Sequence, residues 1–329
     1  MALRLHEISG IMRRAPAANN FMRVVFMGTP EAAVPTLQRV IDDGHEVVAV
    51  WTQPDRPAGR GNRLTPPPVK QRALEHNLTV YQPAKIKTDE AQELFASYQA
   101  DAAVVVAYGR ILPPSFLRAT RYGCINVHFS LLPKYRGAAP VNWAIISGES
   151  ETGVTTMLMD EGLDTGPVLM QRATKIGERE TAPELLARLA ALGADLLGET
   201  LRRLTEIVPR PQQGTATLAP ILRREMGRID WALDARAIER RVRGLQPWPN
   251  AYTYHNAQRL VIWRAAAQDE TGAGDQPGAV IKAQGDALVV ACGQGTALRL
   301  VEVQPEGRRR MEARDFLNGA RLSVGEKFG

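Results

Sequence analysis

An amide and an imidazole stand two residues apart in the stretch Asn126-Val127-His128-Phe129-Ser130-Leu131-Leu132-Pro133-Lys134-Tyr135-Arg136-Gly137. If the segment is extended, Asn126 and His128 share one face, because strand side chains i and i+2 point the same way. Further along, Met159-Asp160-Glu161-Gly162-Leu163-Asp164-Thr165-Gly166-Pro167 brings three carboxylates into a glycine-rich loop. Asp160 and Glu161 read as solvated turn residues. Asp164 meets the imidazole if its loop folds onto the end of the Asn126–His128 strand. A neighbouring anion raises a histidine's pKa, so that pairing favours the imidazolium. A protonated His and an Asn amide are both donors, and two donors facing one oxygen stabilise the oxyanion of a tetrahedral intermediate, which is what acyl transfer needs. Taken singly, a satisfied buried histidine and a turn asparagine are the commoner outcome; the combination with Asp164 is what points to a site. No Ser or Cys lies in a nucleophile-elbow context, so direct attack by a bound amine is expected in place of a covalent enzyme intermediate.

These residues need elements to hold them. The run Gly123–His128 reads as a strand, broken at Pro133 and Gly137 and followed by a helix from Ala138 to Ile146 with proline near its start. From Met22 the chain alternates strand and helix. Strands are expected at Arg23–Met27, Val47–Trp51, near Val80, and at Ala102–Ala107, Val154–Met159 and Val168–Gln171. Helices are expected at about Glu31–Asp43, Val69–Asn77, Thr88–Tyr98 and Ala182–Glu206. Such alternation predicts an α/β fold with a doubly wound, mostly parallel sheet, which binds its ligands beyond the carboxyl ends of the strands. The first turn, Gly28-Thr29-Pro30-Glu31, is not GxGxxG, so no dinucleotide function is inferred.

At 329 residues the chain exceeds one ordinary core, and two domains are expected. Residues 1–21 read as a disordered extension, 22–208 as the α/β domain and 209–225 as a linker opened by Pro209-Arg210-Pro211-Gln212-Gln213-Gly214. Residues 226–329 read as a small OB-like β-barrel, from closely spaced strands with Gly-rich turns after one helix at Asp234–Arg243. The two cysteines, Cys124 and Cys292, have no CxxC partner. That argues against a disulfide or zinc framework and fits a reducing cytosol. No run is long enough for a transmembrane helix. Residues 1–208 hold 23 basic and 22 acidic side chains and residues 209–329 hold 18 and 13, so nearly all of the net +6 lies in the second part. A polyanionic partner and plain solubility both account for such an excess. The long connection Thr52–Pro68 carries Arg56, Arg60 and Arg63 among glycines and prolines, and connections of this length are usually functional or disordered. Two readings stand for it: cations that follow a phosphate backbone and stack on unpaired bases, or a solvated linker with incidental charge.

Asn126-Val127-His128 with Ser130-Leu131-Leu132-Pro133, Arg136-Gly137 and the Asp160–Pro167 loop together resemble the folate-dependent formyltransferases, from about Met22 to the C-terminus. Three further features resemble the tRNA-acting members. Gln53-Pro54-Asp55-Arg56-Pro57-Ala58-Gly59-Arg60-Gly61 is similar to an inserted tRNA-contacting loop, Ile229-Asp230-Trp231 to the opening of the second domain, and Pro247-Trp248-Pro249-Asn250-Ala251-Tyr252 to a proline-tryptophan-proline turn. The resemblance implies 10-formyltetrahydrofolate as donor, the α-amino group of initiator methionyl-tRNA as acceptor and no metal, in a cytoplasmic monomer. Under it, Asn126 and His128 polarise the formyl carbonyl and hold the oxyanion, while Asp164 keeps His128 charged and helps relay the proton from the attacking ammonium. Ser130, Leu131, Leu132 and Pro133 bind folate, as do Arg110, Ile111 and Leu112, for which a surface loop before Pro113-Pro114 is the competing reading. Arg56, Arg60 and Arg63 contact tRNA, Arg60 being the residue inserted at the acceptor-stem end. Arg308-Arg309-Arg310 and Arg240, Arg241 and Arg243 are candidate phosphate contacts, or simply solvated faces. Formylation of a nucleotide-linked amino sugar and a non-catalytic RNA-binding role are the alternatives.

Overall fold

The computed structural model describes residues 21–58, 61, 63–268 and 276–329; the extension expected at residues 1–21 therefore lies, apart from Phe21, outside the described residues. In chain order the elements begin β1 (Arg23–Gly28), α1 (Val34–Asp42), β2 (Glu46–Trp51), β3 (Arg56–Ala58), β4 (Arg63–Thr65), α2 (Pro68–Glu75), β5 (Val80–Tyr81) and α3 (Asp89–Ser97). They continue with β6 (Ala102–Val106), α4 (Pro114–Arg118), β7 (Cys124–His128), β8 (Arg136–Gly137), α5 (Pro140–Ile146), β9 (Glu151–Leu158), β10 (Val168–Lys175) and α6 (Ala182–Arg202).

The main sheet has the order β10-β9-β7-β6-β1-β2-β5. Its central strands are apolar on both faces: β1 is buried from Val24 onward and β6 over its whole length. Runs of this kind suit only a sheet covered by helices on both sides. β7, β6, β1, β2 and β5 are parallel neighbours, and β9 runs antiparallel to β7. The doubly wound, mostly parallel sheet expected from the strand–helix alternation is what forms. Local chemistry sets the helix ends: Thr88 accepts the Ala91 amide at the start of α3, and Pro68, Pro114 and Pro140 stand in first turns, where a missing N–H costs nothing.

The second half adds β11 (Leu218–Ala219), α7 (Ala235–Gly244), β12 (Ala251–His255), β13 (Gln258–Gln268), β14 (Val280–Gln284), β15 (Ala287–Ala291), β16 (Ala297–Pro305), β17 (Met311–Glu312) and α8 (Ala313–Ala320). The strands from β12 on form the antiparallel sheet of a small barrel, in the order β12-β13-β16-β15-β14 with β17 on β16. Ala235, Ile238 and Val242, on one face of α7, are buried in its core with Trp231, Leu260 and Leu300. Asp234 caps α7 by accepting the Ala237 amide at 2.8 Å.

By contacts the chain divides into two compact units: residues up to Gly137 with Gly153–Thr174 and Leu186–Leu218, and Ala138–Thr152 with Lys175–Leu185 and Ala219–Gly329. In the second unit α5 lies against α7, with Asn142 Nδ2 donating to the Gly244 carbonyl at 2.7 Å. Cys124 and Cys292 are free and buried, and burial pushes both thiols up to about 12.

Candidate active site

β7 carries Asn126 and His128 on one face, while Val127 on the other packs beneath α6. There a Cβ on Gly193 would lie 2.9 Å from Val127 Cγ1, so the absent side chain lets the helix close on the strand. Because β9 is antiparallel to β7, its outgoing end lies beside the start of β7: Leu158 pairs with Ile125, and the Met159 amide bonds the Cys124 carbonyl. His128 is three residues further along β7, about 10 Å at strand spacing. The 159–167 loop must therefore turn back over the sheet face to reach it. It does: Asp164 Oδ2 lies 3.7 Å from His128 Nδ1 and accepts the Gly137 amide at 2.8 Å. A Cβ on Gly166 would run into the Leu158 carbonyl, so only glycine lets the loop turn this tightly. Asp160 Oδ1 accepts from the Gly162 amide and the Thr165 hydroxyl, the turn role expected of it.

His128 is 6% exposed, and its Nε2 lies 2.9 Å from the Tyr135 carbonyl. A carbonyl only accepts, so Nε2 carries the proton, and in the neutral ring Nδ1 is the bare nitrogen beside Asp164. Burial lowers the imidazole pKa; the Asp164 charge and the Tyr135 carbonyl raise it, but by less. This corrects the expectation of a standing imidazolium. The free site holds a neutral histidine, since the cost of burying its charge outweighs an anion at 3.7 Å. The arrangement suits a base that takes a proton on Nδ1 and is then stabilised, as a cation, by Asp164. Asn126 is half-buried, and its Oδ1 is buried with no hydrogen-bond partner among the described residues. An amide oxygen left so is an exception among buried polar groups, which nearly always find a partner.

The turn after β7 is held from β9 and β10. Thr155 Oγ1 donates to the Ser130 carbonyl at 2.7 Å and accepts the Leu132 amide at 3.1 Å, and Gln171 Nε2 donates to the Leu132 carbonyl at 2.8 Å. The Ser130 hydroxyl is fully buried and donates to the Lys134 carbonyl; Leu132 and Pro133 are also buried, and Leu131 is half-buried. This segment therefore offers a ligand its backbone and Leu131 more than its serine. Beyond β6, Ala107 and Gly109 take left-handed backbone. There Arg110 turns to the Ala84 carbonyl at 2.8 Å, Leu112 enters the core beside Phe116, and Ile111 is 73% exposed.

The connection expected to be structureless over 52–68 forms a hairpin of β3 and β4, whose register puts Arg56 and Arg63 on one face, both exposed. Its glycine and proline content hides the strand signal. Arg60 lies outside the described residues. At the hairpin root, Asp55 accepts from Lys70 Nζ at 2.8 Å and Gln82 Nε2 at 2.7 Å, bonds that hold its carboxyl below the usual range. A largely apolar cleft of about 410 Å³ lies between this root and the carboxyl ends of β1, β2 and β6, lined by Pro30, Gln53, Arg56, Pro66 and Tyr108. Of the candidate phosphate contacts, Arg243 is bound to Glu239 and the Glu180 carbonyl, Arg241 donates to the Met226 carbonyl and Arg310 is paired with Glu302, while Arg308 and Arg309 are exposed.

Several polar residues of the site escaped the sequence reading, Thr155 and Gln171 among them. Gln212, in the stretch read as a linker, donates to the carbonyls of Asp164 and Gly166 and accepts from Arg136. An amide between Pro211 and Gln213 carries no sequence signal for such a role. Among the described residues no group of three or more His, Cys, Asp or Glu side chains is placed to hold a metal ion, and no helix is long and apolar enough to cross a membrane.

The formyl transferase family model matches residues 22–201 and the formyl transferase C-terminal domain model matches residues 221–321. A methionyl-tRNA formyltransferase of Solibacter usitatus is 54% identical over 311 residues, 94% of this chain and 99% of the relative. An N-formyltransferase from Helicobacter canadensis, solved with folinic acid and dTDP-3-aminofucose, superposes with a TM-score of 0.64 at 17% identity, covering 85% of this chain and 99% of its own. HypX from Aquifex aeolicus in complex with tetrahydrofolic acid gives 0.59 at 17% identity, covering 93% of this chain and 48% of its own. At such identities the two structures share the fold.

Proposed function

Because this chain belongs to the formyl transferase family along residues 22–201 and 221–321, we propose that it transfers a formyl group from 10-formyltetrahydrofolate to the α-amino group of initiator methionyl-tRNA. The observation that carries the choice of acceptor is its near-full-length similarity to methionyl-tRNA formyltransferases. The likeness to a sugar N-formyltransferase is one of fold and supports no second acceptor.

The residues fit a folate donor. Asn126 Oδ1 is a buried acceptor without a partner among the described residues, and the backbone of the 130–133 turn and of the 107–112 segment lies at the same end of the sheet. The folate supplies an activated formyl carbon; this chain's residues orient it and manage charge and protons. Asn126 accepts an N–H of the incoming amine through Oδ1 and donates from Nδ2 to the formyl oxygen as negative charge grows there. His128, neutral at the outset, takes the proton of the attacking nitrogen on Nδ1. Asp164 stabilises the resulting imidazolium, which gives the proton to the folate nitrogen as that nitrogen's bond to the formyl carbon breaks, leaving the formyl group on the α-amino nitrogen and His128 neutral again. Arg56 and Arg63 meet the acceptor arm of the tRNA from the hairpin, Arg60 contacts the same arm, and Arg308 and Arg309 meet phosphates from the barrel.

The purified protein, supplied with the formyl donor and separately with charged initiator methionyl-tRNA, charged elongator methionyl-tRNA and a nucleotide-linked amino sugar, should formylate the first of these. Formylation of the sugar alone, or of none, overturns the reading.

A further inference from the structure

We propose that Gln212 is a positioning residue: it fixes the carboxylate loop to the Arg136-Gly137 turn so that Asp164 stands beside His128. This rests on the formyl-transfer reading of the site. Gln212 uses its whole amide. Nε2 donates to the carbonyls of Asp164 and Gly166, both at 2.8 Å, and Oε1 accepts from Arg136 Nε at 3.1 Å and Nη2 at 2.6 Å. Asp164 Oδ2 accepts the amide of Gly137, the residue after Arg136. The four residues Asp164, Gly137, Arg136 and Gln212 thus form a closed ring that joins two loops from distant parts of the chain.

The ring is needed because the loop's own bonds, from the Gly162 amide and the Thr165 hydroxyl to Asp160, do not include Asp164. Asp164 has φ of 51°, a left-handed conformation that a side-chain-bearing residue takes at a cost, and its loop must turn back along β7 to reach the histidine. Gln212 is itself anchored, since the Arg210 amide and carbonyl bond the Val168 carbonyl and amide at 2.9 and 2.7 Å. Glutamine is the residue that fits. The site needs two donors toward carbonyls and one acceptor toward a guanidinium; glutamate supplies only acceptors, and methionine neither.

The test uses the full chain carrying Gln212→Glu or Gln212→Met. A misplacement of about 1 Å at a reacting centre costs on the order of 10²-fold in rate, so kcat should fall by about 10- to 100-fold in both. The KM for initiator methionyl-tRNA, the Kd for tetrahydrofolate and the thermal midpoint should stay close to those of the unaltered protein. Single-turnover rates complete a double-mutant cycle: in an Asp164→Asn background, Gln212→Glu should cost less than about 3-fold more, because residues acting through one another are not additive. Unchanged kcat in Gln212→Glu, a full additional cost in the Asp164→Asn background, or a joint loss of kcat, binding and folding overturns the proposal. If the unaltered protein itself makes no formylmethionyl-tRNA, the parent reading fails; if it does and Gln212→Glu matches it, only the positioning role fails.

Discussion

His128 holds its proton on Nε2 against the Tyr135 carbonyl, which leaves Nδ1 bare toward Asp164 at 3.7 Å. As a base it is active when unprotonated, so turnover should rise with pH through its pKa. Burial holds that pKa below the ordinary histidine value, which puts the histidine limb on the acid side of neutrality. Asp164 is a group that raises it; Asp164→Asn should therefore lower kcat and move this limb to still lower pH, while the limb of the substrate's own amine stays in place. A limb that stays fixed or moves to higher pH contradicts the proton-acceptor role, as read from kcat against pH. Asn126→Ala removes both the orphan acceptor and the oxyanion donor, and loss of one such donor costs about 10²- to 10³-fold in kcat; steady-state kinetics at saturating substrates checks it.

Among the elements, the β3–β4 hairpin makes the most separable contribution. Arg56 and Arg63 share one exposed face of it. If they contact phosphates, Arg56→Ala and Arg63→Ala should each flatten the slope of log affinity against log salt by roughly 0.7 to 0.9. Tetrahydrofolate binding should not change, and an unaltered tRNA slope in both variants removes the hairpin from the interface. This element also marks where sequence reasoning stops. The Val- and Ala-rich strands β1, β2 and β6 were legible because full burial on both faces demands continuous apolar runs, and Asn126 and His128 were legible because strand spacing alone puts them on one face. The hairpin was not, since Pro57 and the glycines near its tip break any alternation. The protonation of His128 was misjudged because burial is a property of the packed fold, and Gln212 was passed over because its partners lie 46 to 76 positions away in the chain.

At the scale of the molecule, two buried histidines tie stability to pH. His45 accepts the Met22 amide on Nδ1 at 3.1 Å, and its Nε2 is buried without a partner among the described residues; burial lowers its pKa, as it does for His128. Below their unfolded-state value of about 6.5 the unfolded chain binds more protons than the folded one, so stability is full above that pH and declines as pH falls through it. His45→Asn keeps an acceptor for Met22 and removes one titrating group, and the drop in thermal midpoint between pH 7 and pH 5 should shrink; an unchanged or larger drop counts against His45 as a source. The excess of basic over acidic side chains in residues 209–329, 18 against 13, suits a polyanionic partner. Turnover depends on His128 acting as the proton acceptor in formyl transfer. The most direct measurement is the single-turnover rate of formylmethionyl-tRNA formation, with saturating folate donor and initiator methionyl-tRNA, for the unaltered protein and His128→Ala. General-base catalysis contributes about 10²- to 10⁴-fold; the expected result is a loss of that size with both substrates still bound, and equal rates in the two proteins would contradict the account.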